Sequence, residues 1–204
     1  MIVPLQIRPA CSSDASFAAK LMYLTMGSLA DYLFKQDVPS IESSLARLFS
    51  RNAGRFGYQV TAIAETEGDP VGMIVACEGS KLNRINLKTF PHFFPALGIK
   101  NTLGLLMRGV TLPGGAEAKK DEYYISNLGI LPSAQGRGFG SQLLQYAEQT
   151  ARACGLSKCS LIVSSHNAGA HRLYERTGYR VVETVPDQNE IPGYYRMVKT
   201  LQTL

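Results

Sequence analysis

Cysteine and histidine are scarce in this chain and poorly spaced for metal. The four cysteines, Cys11, Cys77, Cys154 and Cys159, form no C-x-x-C pair, and His92, His166 and His171 offer no zinc spacing. His166 and His171 lie about 500° apart around a helix, on different faces. No metal is expected, and the cysteines read as reduced thiols, with Cys77, Cys154 and Cys159 in the core. Long apolar runs are also lacking, since no stretch approaches the ~18 residues of a membrane span. The opening "MIVPLQIRPA" sets Pro4, Arg8 and Pro9 where the apolar region of a signal peptide would run. The expectation is a cytoplasmic protein with no membrane partner. There is no repeat and no low-complexity tract. The formal net charge of +5 comes from scattered basic residues, so an anionic small ligand accounts for it as well as nucleic acid does, and no nucleic-acid partner is expected.

What is present is ordinary globular composition, 45% apolar and 18% charged over 204 residues, which fits one domain spanning residues 1–204. Residues 2–8 alternate as a first strand. "SSDASFAAKLMYLTMGSLADYLF" follows with helical spacing, and "SIESSLARLFSRN" reads as a second helix capped by Ser40 and stopped before Gly54. "YQVTAIAETEGDPVGMIVACEG" reads as a hairpin turning at "EGDP". Residues 80–121 interrupt this rhythm with Pro91, Pro95, Pro113, Gly114, Gly115 and the aromatic run "FPHFF". So long a segment is expected to hold helical pieces, "KNTLGLLMRG" among them, and either covers a site or packs its own aromatics on the surface.

Beyond it, "EYYISNLGILP" is a strand. The helix over 141–154 places Leu143, Leu144, Ala147, Ala151 and Cys154 in one stripe, with Gly155 as its stop. "SKCSLIVSS", "YRVVETV" and "GYYRMVKTL" read as strands and "NAGAHRLYERTG" as a helix. The order β-α-α-β-β-(insertion)-β-α-β-α-β-β predicts an α/β fold with a central sheet covered by helices.

The segment "LPSAQGRGFGSQLL" carries the chemistry. Gly136, Gly138 and Gly140 follow a strand and open a helix, so amides unobstructed by Cβ atoms converge at a helix N-terminus, an anion site. Gln135, Arg137 and Ser141 could add hydrogen bonds or charge. A dinucleotide fingerprint fails, because its last glycine would fall on Ser141 or Leu143, and no G-K-[ST] is present. Taken alone, such a loop serves tight packing equally well.

The loop together with "NAGAHRLYERTGY", about 25 residues later, resembles the coenzyme A site of the GNAT superfamily of N-acetyltransferases. The likeness lies in Q-x-x-G-x-G followed by N-x-x-A-x-x-x-Y-x-x-x-G-Y over residues 123–182. The resemblance implies a mixed, mostly antiparallel sheet with helices on both faces and splayed central strands, the long insertion preceding the fourth strand. It implies acetyl-CoA as co-substrate, its pyrophosphate on Gly136, Arg137, Gly138, Phe139, Gly140 and Ser141, and its pantetheine arm along Leu128, Gly129 and Ile130. Asn167 would contact the coenzyme and Tyr174 would protonate the leaving thiolate. Tyr174 could otherwise be an aromatic core anchor beside Tyr179.

The pattern departs from the family at the base, because positions where relatives carry a glutamate hold Tyr124 and Ile162. Glu122 is the first substitute, unless it is a solvated strand-end charge, and Tyr124 with Ser126 could instead hold a relaying water. The expected activity is N-acetyl transfer to a primary amine, of a small molecule or peptide, by direct attack in a ternary complex. The alternative is a catalytically idle coenzyme A binder. A homodimer stays open.

Overall fold

A computed structural model describes residues 5–188 and 191–202. Its first strand, β1 (Gln6–Pro9), pairs antiparallel with β2 (Thr61–Thr66); residues 2–4 of the expected strand lie outside the described residues. β2 returns through Glu67 and Gly68, both with positive φ (55° and 86°), into β3 (Asp69–Glu78), as a tight hairpin between right-twisted strands requires.

The long helix expected after β1 is two helices, α1 (Ala15–Met26) and α2 (Ser28–Phe34), divided at Gly27, where φ is 53°. The next, α3 (Val38–Ser50), begins before Ser40. Asp37 caps it by accepting the Ser40 amide at 2.9 Å, and Pro39 fits a first turn whose amides need no intrahelical partner.

The expected insertion is two helices, α4 (Gly79–Leu97) and α5 (Ile99–Val110). Pro91 and Pro95 do not break α4. They stand four residues apart on its exposed side, so the carbonyls they free face water. Arg47 of α3 donates to the Ala96 carbonyl through Nε (3.0 Å) and a terminal nitrogen (2.7 Å), and Arg108 of α5 donates to the Leu33 carbonyl (2.8 Å). The insertion is thereby fastened to α2 and α3 and adds Phe93, Ala96, Leu97 and Leu105 to their core.

The remaining elements alternate: β4 (Tyr123–Ile130), α6 (Phe139–Ala153), β5 (Lys158–Ser164), α7 (Ala168–Arg176), β6 (Arg180–Val185) and β7 (Tyr194–Thr200). Seven strands form one sheet in the order β1-β2-β3-β4-β5-β7-β6, with β4–β5 parallel and the other pairs antiparallel. The period of two sends Ile63, Met73 and Val75 to the α1–α3–α4 face, and Ala62, Ala64 and Ile74 to the α6–α7 face. Leu143, Leu144, Ala147 and Ala151 face this second core as expected, and Cys159 is buried there, but Cys154 is exposed and Cys77 only partly buried. Cys154 follows the last turn of α6 instead of continuing its inner stripe. No helix among the described residues is long and apolar enough to cross a membrane.

Candidate active site

The site starts with a defect in the sheet. The β3–β4 register runs Val75 to Asn127 but Ala76 to Ile125, so Ser126 is an extra residue bulged out of the ladder. On the other side of β4 the parallel pairing with β5 ends at Ile125 and Leu161. From there β4 continues along β3 to Ile130, and β5 along β7 to Ser164, leaving a wedge between them. A cavity of about 680 Å³ fills that wedge, lined by both diverging strands, the glycine loop and α7.

At the loop, Gly136 and Gly138 adopt φ of 78° and 81°, and an added Cβ on either would point into open space. Their lack of a side chain serves backbone conformation. Gly138 is the N-cap of α6, so the loop borders the cavity at the positive end of that helix's dipole. Gly140 has a different reason, since a Cβ there would lie 3.1 Å from Cδ2 of Leu173 on α7, which would have to give way for it. Gly129 works likewise on the other face, where a Cβ would meet Cγ2 of Thr25 at 2.9 Å and lift α1 off β4.

Leu128, Gly129, Ile130, Gln135, Gly136, Gly138, Phe139, Gly140, Ser141, Asn167 and Tyr174 all line this cavity. Gln135 uses its side-chain amide to hold the Ile130 carbonyl (3.1 Å), fastening the loop to the end of β4. Asn167 caps α7 by accepting the Ala170 amide at 3.0 Å. Arg137 is exposed and does not line the cavity, whereas Arg176, which the sequence pattern did not single out, does. Tyr174 is a core anchor that also reaches the cavity. Its ring is buried 6.0 Å from that of Tyr179, and the residue still forms part of the cavity wall. Burial pushes its phenol up to about 12, so it carries its proton throughout the neutral range.

A second, more apolar cavity of about 590 Å³ lies between α2, the insertion and the start of β7. The two cavities share Thr25, Ser126, Asn127, Ile162 and Ser164, so they meet at the bulge. A chain of polar contacts crosses this junction. Asn127 donates to Thr25 (2.8 Å), Ser126 donates to Asn127 (3.1 Å), and Arg55 donates to Ser126 (3.3 Å) while pairing bidentately with Glu117. Tyr124 also hydrogen-bonds Glu117. Burial works against the Glu117 carboxylate, but the Arg55 charge and hydrogen bond outweigh it and hold Glu117 below the ordinary carboxylate range. Burial, followed by the nearby Glu117 charge, drives the Tyr124 phenol far upward.

Glu122 does not join this group, which corrects its place as the first substitute base. It is 2% exposed, lines neither cavity, and is held by Arg196 and by the Lys119 amide (2.9 Å). Burial alone would raise it, yet these bonds lower it, so its lone pairs serve a structural ion pair. Nor is it a solvated charge. The carboxylate that lines the second cavity is Glu117, which no periodicity marked because it sits in the irregular stretch before β4. Among the described residues no cluster of three or more His, Cys, Asp or Glu could hold a metal ion.

The family pattern in the sequence agrees with direct comparison. Residues 28–179 match the model of the acetyltransferase (GNAT) family. The chain belongs to that family. It is 36% identical over 69 residues, 34% of this chain and 44% of the relative, to an uncharacterised N-acetyltransferase, YycN, of Bacillus subtilis. The chain spans less than half the length of the curated relatives it matches. Among solved structures, one described as an acetyltransferase superposes with TM-score 0.71 at 24% identity, covering 97% of this chain and 100% of that one. An N-acetyltransferase from Staphylococcus aureus Mu50 gives 0.68 at 24%, covering 95% and 99%. These likenesses are of fold.

Proposed function

We propose that this GNAT protein transfers the acetyl group of acetyl-CoA to a primary amine seated in the second cavity. The observation that carries the reading is the junction: a glycine-cradled cleft with a protonated tyrosine in its wall opens, at the Ser126 bulge, into a separate apolar cavity. When bound, acetyl-CoA supplies an activated thioester. The amides of Gly136 to Ser141 take its pyrophosphate, helped by Arg176, and the main chain of Leu128 to Ile130, released from β5, hydrogen-bonds the pantetheine arm. That arrangement delivers the thioester carbonyl to the junction. An amine held by Ser126, Asn127 and the apolar wall attacks it directly, forming C–N as C–S breaks. Tyr174 gives its proton to the departing sulfur and is restored by the proton that leaves the nitrogen. A cationic amine first loses one proton to water, held by the Ser126 hydroxyl and the Tyr124–Glu117 pair. The strong Arg55 pairing makes Glu117 a binder of that water more than a base in its own right.

The same pairing favours a second reading, an idle coenzyme A binder, because no carboxylate near the junction is elevated toward neutral pH. A thiol-release assay with acetyl-CoA and a panel of alkylamines, aromatic amines, peptides and aminoglycosides separates the two. Turnover with at least one amine is expected. Coenzyme binding by calorimetry with no turnover on any acceptor would leave the binder, and no heat from acetyl-CoA at millimolar concentration would remove both.

A further inference from the structure

The two helices of the insertion carry a surface that the cavities do not use. Their inner sides pack on the core and line the second cavity through Phe93, Leu105 and Leu106. Their outer sides expose Leu87, Phe90 and Phe94 on α4, and Ile99, Leu103, Met107 and Val110 on α5. These residues recur at three and four positions, so each helix shows a continuous apolar stripe to solvent. The exposure is deep: Val110 is 87%, Leu87 75%, Met107 74% and Ile99 70% exposed. Single exposed apolar residues mean little, but seven on one helix pair mark an interaction surface. The charge there is one-sided as well. Residues 79–116 contain Lys81, Arg84, Lys88, Lys100 and Arg108 and no aspartate or glutamate. Arg84, Lys88 and Lys100 are exposed.

We propose that α4 and α5 dock the protein on an anionic lipid surface, seating the apolar stripes among the acyl chains and the lysines and arginines among the headgroups. Exposed apolar stripes flanked by basic side chains and free of acidic ones are what a membrane interface rewards. A second copy covering the same face would bring two wholly basic segments together. Nucleic acid would satisfy the charges but leave Leu87, Met107 and Val110 against a phosphate backbone that offers them no apolar surface. The proposal departs from the sequence expectation of no membrane partner, which rested on the absence of a spanning segment. It does not depend on the acetyl-transfer reading.

Co-sedimentation of the full chain with vesicles tests it. Binding to mixed phosphatidylglycerol and phosphatidylcholine vesicles is expected to exceed binding to phosphatidylcholine alone by about tenfold or more, given the stabilisation each basic residue brings at an anionic surface. The triple variant Leu87→Ser/Met107→Ser/Val110→Ser and the charge variant Arg84→Glu/Lys88→Glu/Lys100→Glu should each lose about tenfold in vesicle affinity. Their melting temperatures should stay close to that of the unaltered protein, because all six side chains are exposed. No sedimentation with anionic vesicles at millimolar lipid would overturn the proposal, as would unchanged vesicle binding in both variants. So would a dimer, seen by light scattering, that the triple variant dissociates, since a second copy would then be what covers the face. Binding of a DNA duplex in preference to vesicles would also overturn it.

Discussion

Tyr174 joins two properties that compete elsewhere. A buried ring stabilises the α7 face of the core, while a phenol in a cavity wall can deliver a proton to a reacting atom. Tyr174→Phe keeps the ring and removes the proton. It is expected to lower kcat by about a hundredfold, the size of a general-acid contribution, with coenzyme affinity measured by calorimetry unchanged. An acid serves while protonated and fails above its pKa. With Tyr174 at about 12, the unaltered enzyme should show no alkaline fall in kcat up to about pH 10. A fall between neutrality and that point would assign the acid to another group. The glycines differ in the same residue-by-residue way. Gly138→Ala forces a left-handed backbone on a side chain, costing about 1–2 kcal/mol, and should weaken coenzyme binding by about tenfold because the strained loop misaims its amides. Stability from thermal melts and affinity from calorimetry would show both losses together.

At the scale of elements, the alternation of strands and helices was legible because the two periods are strong where a face is buried, as in β2, β3 and α6. The breaks were less so. Gly27 divides a continuous helical pattern through one backbone angle, and α4 runs through two prolines because both stand on its outer side, which only packing decides. That the glycine loop and Tyr174 would meet around one cavity was legible in the linked motifs. The bulge at Ser126, the Arg55–Glu117 pair and the ion pair that removes Glu122 could not, since each joins residues far apart in sequence. By contrast, a set of local bonds secures the start of α1. Asp14 accepts both terminal nitrogens of Arg8 at 2.9 Å and the Cys11 amide at 2.8 Å, tying the helix to the edge strand. The Arg8 hydrogen bonds hold Asp14 down to about 2, against an ordinary 3.8. A depressed acid stabilises the fold above its unfolded pKa and loses that contribution as pH falls through the folded one. With Arg8 partly exposed, Asp14→Asn is expected to cost about 1 kcal/mol at pH 7. In urea titrations the gap between variant and unaltered protein should close toward pH 2. A gap that persists there would mean the carboxylate's charge is not its source.

The molecule as a whole is a sheet pried open at one seam, with one cavity on each side of the opening; the proposed function puts the coenzyme in the first and the acceptor in the second. The glycine loop and α7 build one side, and α2 and the insertion build the other. Because these groups sit in different cavities, substitutions in them should act independently, whereas a substitution at the seam should touch both. Leu29→Ala, a partly buried residue in the acceptor cavity, is expected to lower kcat/KM for the best amine by about tenfold with calorimetric coenzyme affinity unchanged. Combined with Gly138→Ala, its effect should add in free energy. Asn127→Ala is different, for Asn127 lines both cavities and holds Ser126 and Thr25 in place. In a double-mutant cycle with Leu29→Ala it should show coupling of about 0.5 kcal/mol or more in kcat/KM. Additivity throughout would mean the bulge is a passive boundary. Coupling confined to Asn127 would make the seam the place where the two substrates are brought into register.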